Sequence, residues 1–313
     1  MRTEWVIHIW CKERENLEFT QQEKFHIDMI KNCDHSIFDK VLVNIAMYDI
    51  NDEILFNFMK EKLVDIFSDV KEFEIMKCQN DISLCEYITF KPFVWDRIGE
   101  DVRIFYSHFK GYVSNSRLSE LIPYPKNNLY INEFYWSYLM YRMLLDREYI
   151  DEMRKSFDMG KDLYCWGLCK KSNFEKSYIP KDNYYTLYFK RFEEKFPNIK
   201  NLYTDESEYI HSPGSFVWYD MKNIHSHIGG IIDDMKLNDE GIINAGLAGH
   251  FCELYIYRFL NNENIQEQTF IKDISKQFES IKNNIYLEIY ISKKICHKYI
   301  DDFNKYLIQN KLI

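Results

Sequence analysis

Neither glycine-rich phosphate loop, G-x-G-x-x-G nor G-x-x-x-x-G-K-[ST], occurs in this chain. Glycine itself is sparse, with 10 residues among 313, beside 6 prolines. A nucleotidyltransferase or another phosphate-handling enzyme built on such a loop loses its main sequence support. There is no C-x-x-C. Cys165 and Cys169 stand four apart, but no second pair with ligand spacing accompanies them, which argues against a zinc site. No apolar run approaches the ~20 residues of a membrane span. The opening MRTEWVIHIWCKERE has no signal-peptide pattern. With its 8 cysteines scattered, the chain reads as cytoplasmic, with reduced thiols. Positive charge is also in deficit. A net charge of −9 excludes broad electrostatic binding of DNA or RNA, yet leaves room for a small phosphate pocket. No internal repeat or low-complexity linker divides the chain.

What is present is a full supply of core and surface. Hydrophobic residues make up 46% and charged residues 28%, which fits one large domain or two moderate ones and excludes intrinsic disorder. Aromatics reach 17%, with 24 Tyr and 23 Phe. An AT-rich coding bias accounts for that excess without a ligand.

The first hundred residues alternate strand and helix signals. WVIHIW (5–10), KVLVNIA (40–46), VKEFEIM (70–76) and DVRIFYS (101–107) read as strands. Helices are expected over about 19–32, with Phe25, Met29 and Ile30 on one face, and after Asp52, with Ile54, Leu55, Phe58, Met59 and Leu63 inward. Ser83 can begin another. This alternation predicts an α/β fold with a mostly parallel sheet flanked by helices. Ligands of such sheets bind beyond the C-terminal strand ends. After Gly111 the pattern changes. An irregular stretch with Pro123 and Pro125 precedes a strong helix over about 131–147. Short strands are expected at 163–168 and 215–219, and helices at 183–196 and 248–260. From Gln266 the tail reads as mostly helical, except that IYLEIYIS (285–292) also alternates like a strand.

The richest stretch is IFYSHFKG, residues 104–111. An apolar strand ends and His108, Lys110 and Gly111 follow, where a doubly wound sheet holds its ligand. Lys can neutralise a diphosphate, and Gly allows close backbone approach. The same residues also fit a solvated Lys beside a satisfied His. The segment resembles the H-T-K-G motif of bacterial glycosyltransferase-like proteins of polysaccharide synthesis, the rhamnan synthesis F-like group, with Phe109 in place of Thr. Their N-x-G-x-D-I-G stretch has a counterpart in KCQNDIS (77–83), where only Asp81 and Ile82 agree. A third block, H-x-S-G-N-F-W-W-like, is matched at His211, Gly214, Phe216 and Trp218, with Ser215 between. A Glu some thirty residues on has its counterpart in Glu253. The resemblance runs in order over residues 5–260.

It implies a GT-A-like fold and sugar transfer from a nucleotide-sugar donor to a glycan or lipid-linked acceptor. Residues 1–111 would form the nucleotide-sugar half and 112–262 the acceptor and catalytic half on the same sheet. Residues 263–313 would be a mostly helical extension. On this reading Lys110 and His108 meet the diphosphate, Asp81 the nucleoside side, His211, Gly214 and Ser215 the donor, and Trp218 the acceptor. Glu253 is the base. Asp81 and His108 are expected to border one cleft. Asp81 also fits a helix cap, Trp218 a core residue, and Glu253 a structural partner of Arg258. A divalent metal, Mn or Mg, stays open. No acid stands at Ser107–Lys110, and Asp205, Glu206 and Glu208 read equally as a solvated loop. The partners expected are the nucleotide-sugar and a glycan acceptor, with peripheral membrane contact and no nucleic acid. A non-catalytic binding module of the same fold is the alternative.

Overall fold

The computed structural model describes residues 1–109 except 12, 15, 82 and 83, then 122–124, 129–131, 133–165, 169–170, 210–211, 216–227, 229, 265–267 and parts of 302–309. Its centre is a sheet of β1 (Arg2–Cys11), β2 (Lys40–Met47), β3 (Glu72–Gln79), β4 (Val102–His108), β7 (Leu163–Cys165), β10 (Val217–Asp220) and β11 (Ile265–Glu267). The order is β11-β7-β10-β4-β1-β2-β3. β1 pairs in parallel with both β2 and β4, and β2 with β3. β10 runs antiparallel to β4 and β7, and β11 parallel to β7. The sheet is thus mixed and mostly parallel, as its strand–helix alternation requires. β5 (Ile122–Tyr124) with β6 (Leu129–Ile131), and β8 (Cys169–Lys170) with β9 (Ile210–His211), form small separate ladders.

Parallel strands covered on both faces bury both sets of alternating side chains. Residues 4–9 of β1 are all buried. Trp5, Ile7, Ile9 and Cys11 join one core with α1 (Gln21–Lys31), α2 (Glu53–Ile66), α4 (Glu133–Leu145) and α5 (Arg147–Asp158). In that core the Trp5 indole N–H donates to Ser107 Oγ at 2.8 Å, tying β1 to β4. The opposite face is covered by α3 (Tyr87–Phe93), whose Phe90 meets Tyr106 and Tyr219 edge-on.

Local chemistry sets the helix starts. Thr20 and Glu23 form a reciprocal capping box at α1. Glu23, fully buried, also takes both terminal nitrogens of Arg14, at 2.9 and 2.6 Å. Asp52 Oδ1 accepts from Leu55 N and starts α2. Ile54, expected inward, is 70% exposed, because Leu55, Met59 and Leu63 alone define the buried stripe. The helix expected over 131–147 is α4, and a second helix, α5, follows it directly. Asp146 adopts an extended backbone at the start of α5, whose Tyr149, Ile150, Met153 and Phe157 face inward. At the start of the tail, Ile265–Glu267 is an edge strand of the sheet. Near the end of the chain, Phe303 packs edge-on against Phe25, and the Tyr306 hydroxyl donates to Asp28 at 2.9 Å. The helices expected at 183–196 and 248–260 and the alternation at 285–292 lie outside the described residues.

Candidate functional site

β1 has β2 on one side and β4 on the other, so the chain's winding reverses between β1 and β4. In a doubly wound sheet the crevice beyond the C-terminal ends at such a reversal is where a ligand is held. The residues that meet there are His8 of β1 and His108 of β4, which are register partners. Asn44 of β2 is the partner of His8 on its other side. Side chains in register on one face of a sheet lie about 5 Å apart. A row of His108, His8 and Asn44 therefore crosses the sheet toward its C-terminal end.

The segment after β3 closes over this row. The Asp81 carbonyl accepts from Leu84 N at 3.1 Å and Cys85 N at 2.8 Å, and Cys85 takes a left-handed φ of 47°. A non-glycine residue enters that region only when its surroundings hold it there. The turn delivers Glu86 and α3 to the row. Glu86 Oε1 lies 2.5 Å from His108 Nδ1, and its Oε2 accepts from the Tyr106 hydroxyl at 3.4 Å. Thr89 Oγ1, fully buried, accepts from Asn44 Nδ2 at 2.9 Å and lies 2.7 Å from His8 Nδ1. With Thr89 donating to Nδ1, the hydroxyl both donates and accepts, and the neutral His8 carries its proton on Nε2.

Electrostatics separates the two histidines. His8 is 6% exposed, and its pKa is lowered to about 4. Burial is the main cause. The adjacent His108 lowers it further, and Glu86 opposes both. His108 is tethered differently. Nδ1 faces a carboxylate, and Nε2 is buried with no hydrogen-bond partner among the described residues. A buried ring nitrogen without a partner is a cost that a bound group can remove.

Of the residues expected to form the site, His108 stands at its centre. Asp81 is exposed just beyond β3. In sheet order β3 is three positions from β4, about 14 Å across the strands. The strands ending near Asp81 and His108 therefore do not border each other. It is the turn after Asp81, through Glu86, that reaches His108. The backbone of His211 lies in β9, paired with Cys169. Lys110, Gly111, Gly214, Ser215 and Glu253 lie outside the described residues.

Trp218 needs correction as an acceptor platform. It is fully buried in β10, stacked on Phe38 at 5.5 Å and packed on Phe105 at 5.0 Å, and its N–H donates to the Leu144 carbonyl at 2.9 Å. Such an indole has no face left for a sugar, and its role is in the core.

Sequence reasoning missed His8, Asn44, Glu86 and Thr89. A usable signal was there: His8 and Asn44 are single polar residues inside apolar strands, and each must be partnered if buried.

Among the described residues no group of three or more His, Cys, Asp or Glu is placed to hold a metal ion. Glu86 engages His108 Nδ1, and Thr89 lies against His8 Nδ1. A hollow of about 430 Å³ lies elsewhere, where the C-terminal ends of α1 and α4 meet residues 302–306. It mixes Arg142 and Arg147 with Asp34, Asp146 and Asp302. α1 runs back from the end of β1, so this hollow lies toward the sheet's opposite edge. No helix among the described residues is long and apolar enough to cross a membrane.

No family model matches the chain, and no curated protein sequence matches it. Among solved structures it is similar to mouse xyloside xylosyltransferase 1 in its apo form, at 8% identity and a TM-score of 0.31 over 84% of each chain. At these values the likeness carries no argument about activity.

Proposed function

We propose that the chain transfers a sugar from a nucleotide-sugar donor to a glycan or lipid-linked acceptor in polysaccharide synthesis, on a GT-A-like sheet. The observation that carries this reading is the pair His8 and His108 at the β1–β4 reversal, with Lys110 and Gly111 next in sequence. The order of the three motif blocks supports it. In the reaction the acceptor oxygen attacks the anomeric carbon while the bond from that carbon to the diphosphate breaks. Glu253 takes the acceptor proton, and Lys110 and His108 meet the charge on the departing diphosphate. With one candidate base and no nucleophile pair, a single inverting displacement is favoured. Asp81 faces the nucleoside side, and His211, Gly214 and Ser215 contribute to the donor pocket.

A binding module without turnover is the second reading. It is favoured by the block at 77–83, where Lys77 is ion-paired to Glu53 and the Gln79 amide donates to the Tyr48 carbonyl. Both side chains are thus engaged within the fold. A thermal-shift screen with nucleoside diphosphates and nucleotide-sugars, with and without Mn²⁺, tests the shared premise. A ligand that binds only the native state raises its stability. Stabilisation by one nucleotide series followed by sugar transfer is expected. Binding without transfer selects the module, and no stabilisation by any nucleotide overturns both.

A further inference from the structure

Two features of the strand-end cluster are not explained by packing. Among the described residues His108 Nε2 is buried with no hydrogen-bond partner, and Glu86 is turned onto the other ring nitrogen through a left-handed Cys85. We infer that Glu86 and His108 form a proton-linked anion site. Glu86 holds the ring through Nδ1, and Nε2 takes up one proton from solvent and donates it in a hydrogen bond to a diphosphate oxygen. The inference rests on the reading of the strand ends as a diphosphate site. It assigns to the imidazolium N–H, its charge balanced by Glu86, a charge-assisted hydrogen bond to the diphosphate oxygen.

The surroundings fit this chemistry. Among the described residues, the groups that face the His108 ring are Glu86 from the turn before α3, His8 from β1, Tyr106 two residues back on β4, and the Phe216 ring at 5.8 Å. Only Glu86 among them carries charge at neutral pH, and it is negative. A proton on Nε2 therefore makes a neutral pair with Glu86, and a bound anion then completes the hydrogen bonding of the ring. His8 is tied to Thr89 and stays neutral, so it does not compete for that proton. Glu86 is a positioning residue in this scheme, because it acts through the ring and does not touch the anion.

Three carboxylate or imidazole groups converging on one point are absent among the described residues.

The test uses inorganic pyrophosphate and the full-length chain, with ring carbons of histidine labelled for NMR, in the presence of a chelator. The His108 ring is identified by its through-space contact to Phe216 and by loss of its signal in His108→Gln. Saturating pyrophosphate is expected to raise the ring's titration midpoint by at least one pH unit. His108→Gln and Glu86→Gln are each expected to weaken pyrophosphate binding about tenfold or more, the range of one charge-assisted contact. In Glu86→Gln the His108 midpoint is expected to respond less to pyrophosphate than in wild type. Should either variant fail to fold, the wild-type titration alone decides. Absence of pyrophosphate binding, or binding that leaves the His108 midpoint unmoved, overturns the inference. Pyrophosphate that moves His108 in a protein without sugar transfer leaves the dyad standing and removes the transferase reading. Transfer with an unmoved His108 does the reverse.

Discussion

Acidification should weaken this fold through His8 in a way that one substitution isolates. The folded chain keeps the His8 ring neutral down to about pH 4, while the unfolded chain protonates it near 6.5. Between those values the unfolded state binds more protons, so stability falls as pH falls. The contribution is present in full above about 6.5 and is lost progressively toward 4. It amounts to about 2 kcal/mol by pH 5 and about 3 kcal/mol by pH 4. His8→Asn keeps a group that Thr89 can bond and does not titrate in this range. Urea denaturation of both proteins at pH 7, 6, 5 and 4.5 measures the difference. The wild type is expected to lose more stability than the variant, by roughly 2 kcal/mol at pH 5. Profiles that run parallel would show that the ring is not held neutral, and the electrostatic account of the strand-end row would fail with it.

Thr89→Val removes the hydroxyl shared by His8 and Asn44, and should cost about 1–3 kcal/mol for each polar group left unpaired, read by chemical denaturation at pH 7. Lys110→Ala should weaken binding of a nucleoside diphosphate by roughly ten- to hundred-fold and leave the free nucleoside unaffected, read by calorimetry. Glu253→Gln should lower transfer by about 10²–10⁴ with donor affinity unchanged; near wild-type transfer moves the base to Asp205, Glu206 or Glu208. Under brief alkylation at pH 8, peptide mapping should find Cys85, which is exposed, modified well before Cys11 and Cys165. Burial pushes the Cys11 thiol up to about 11, so little of it is thiolate at that pH.

Strand and helix placement in the first hundred residues was legible because each apolar run is bounded by a cap or turn. Asp52 before α2 and the end of β4 at His108 are examples. α5 escaped, because its inward residues Tyr149, Ile150, Met153 and Phe157 stand among charged ones and only the extended backbone of Asp146 separates it from α4. The strand at Ile265–Glu267 was not legible, because three residues are too few to show a period. In the site, His108 was legible from its place after an apolar strand. Glu86 was not, since nothing local shows that the turn at Cys85 carries it back across two strands to β4. Trp218 shows the opposite failure. A motif position drew it toward the ligand, while its neighbours in β10 are all buried.

The central claim is that a nucleoside diphosphate sits beyond the C-terminal ends of β1 and β4. A crystal structure of the chain with the nucleoside diphosphate that raises its melting temperature most tests this directly. The account predicts a phosphate oxygen about 3 Å from His108 Nε2, with the diphosphate over the turn that carries Glu86. A diphosphate bound in the hollow between Met29, Tyr138 and Arg142, with the His108 ring unaltered, contradicts it.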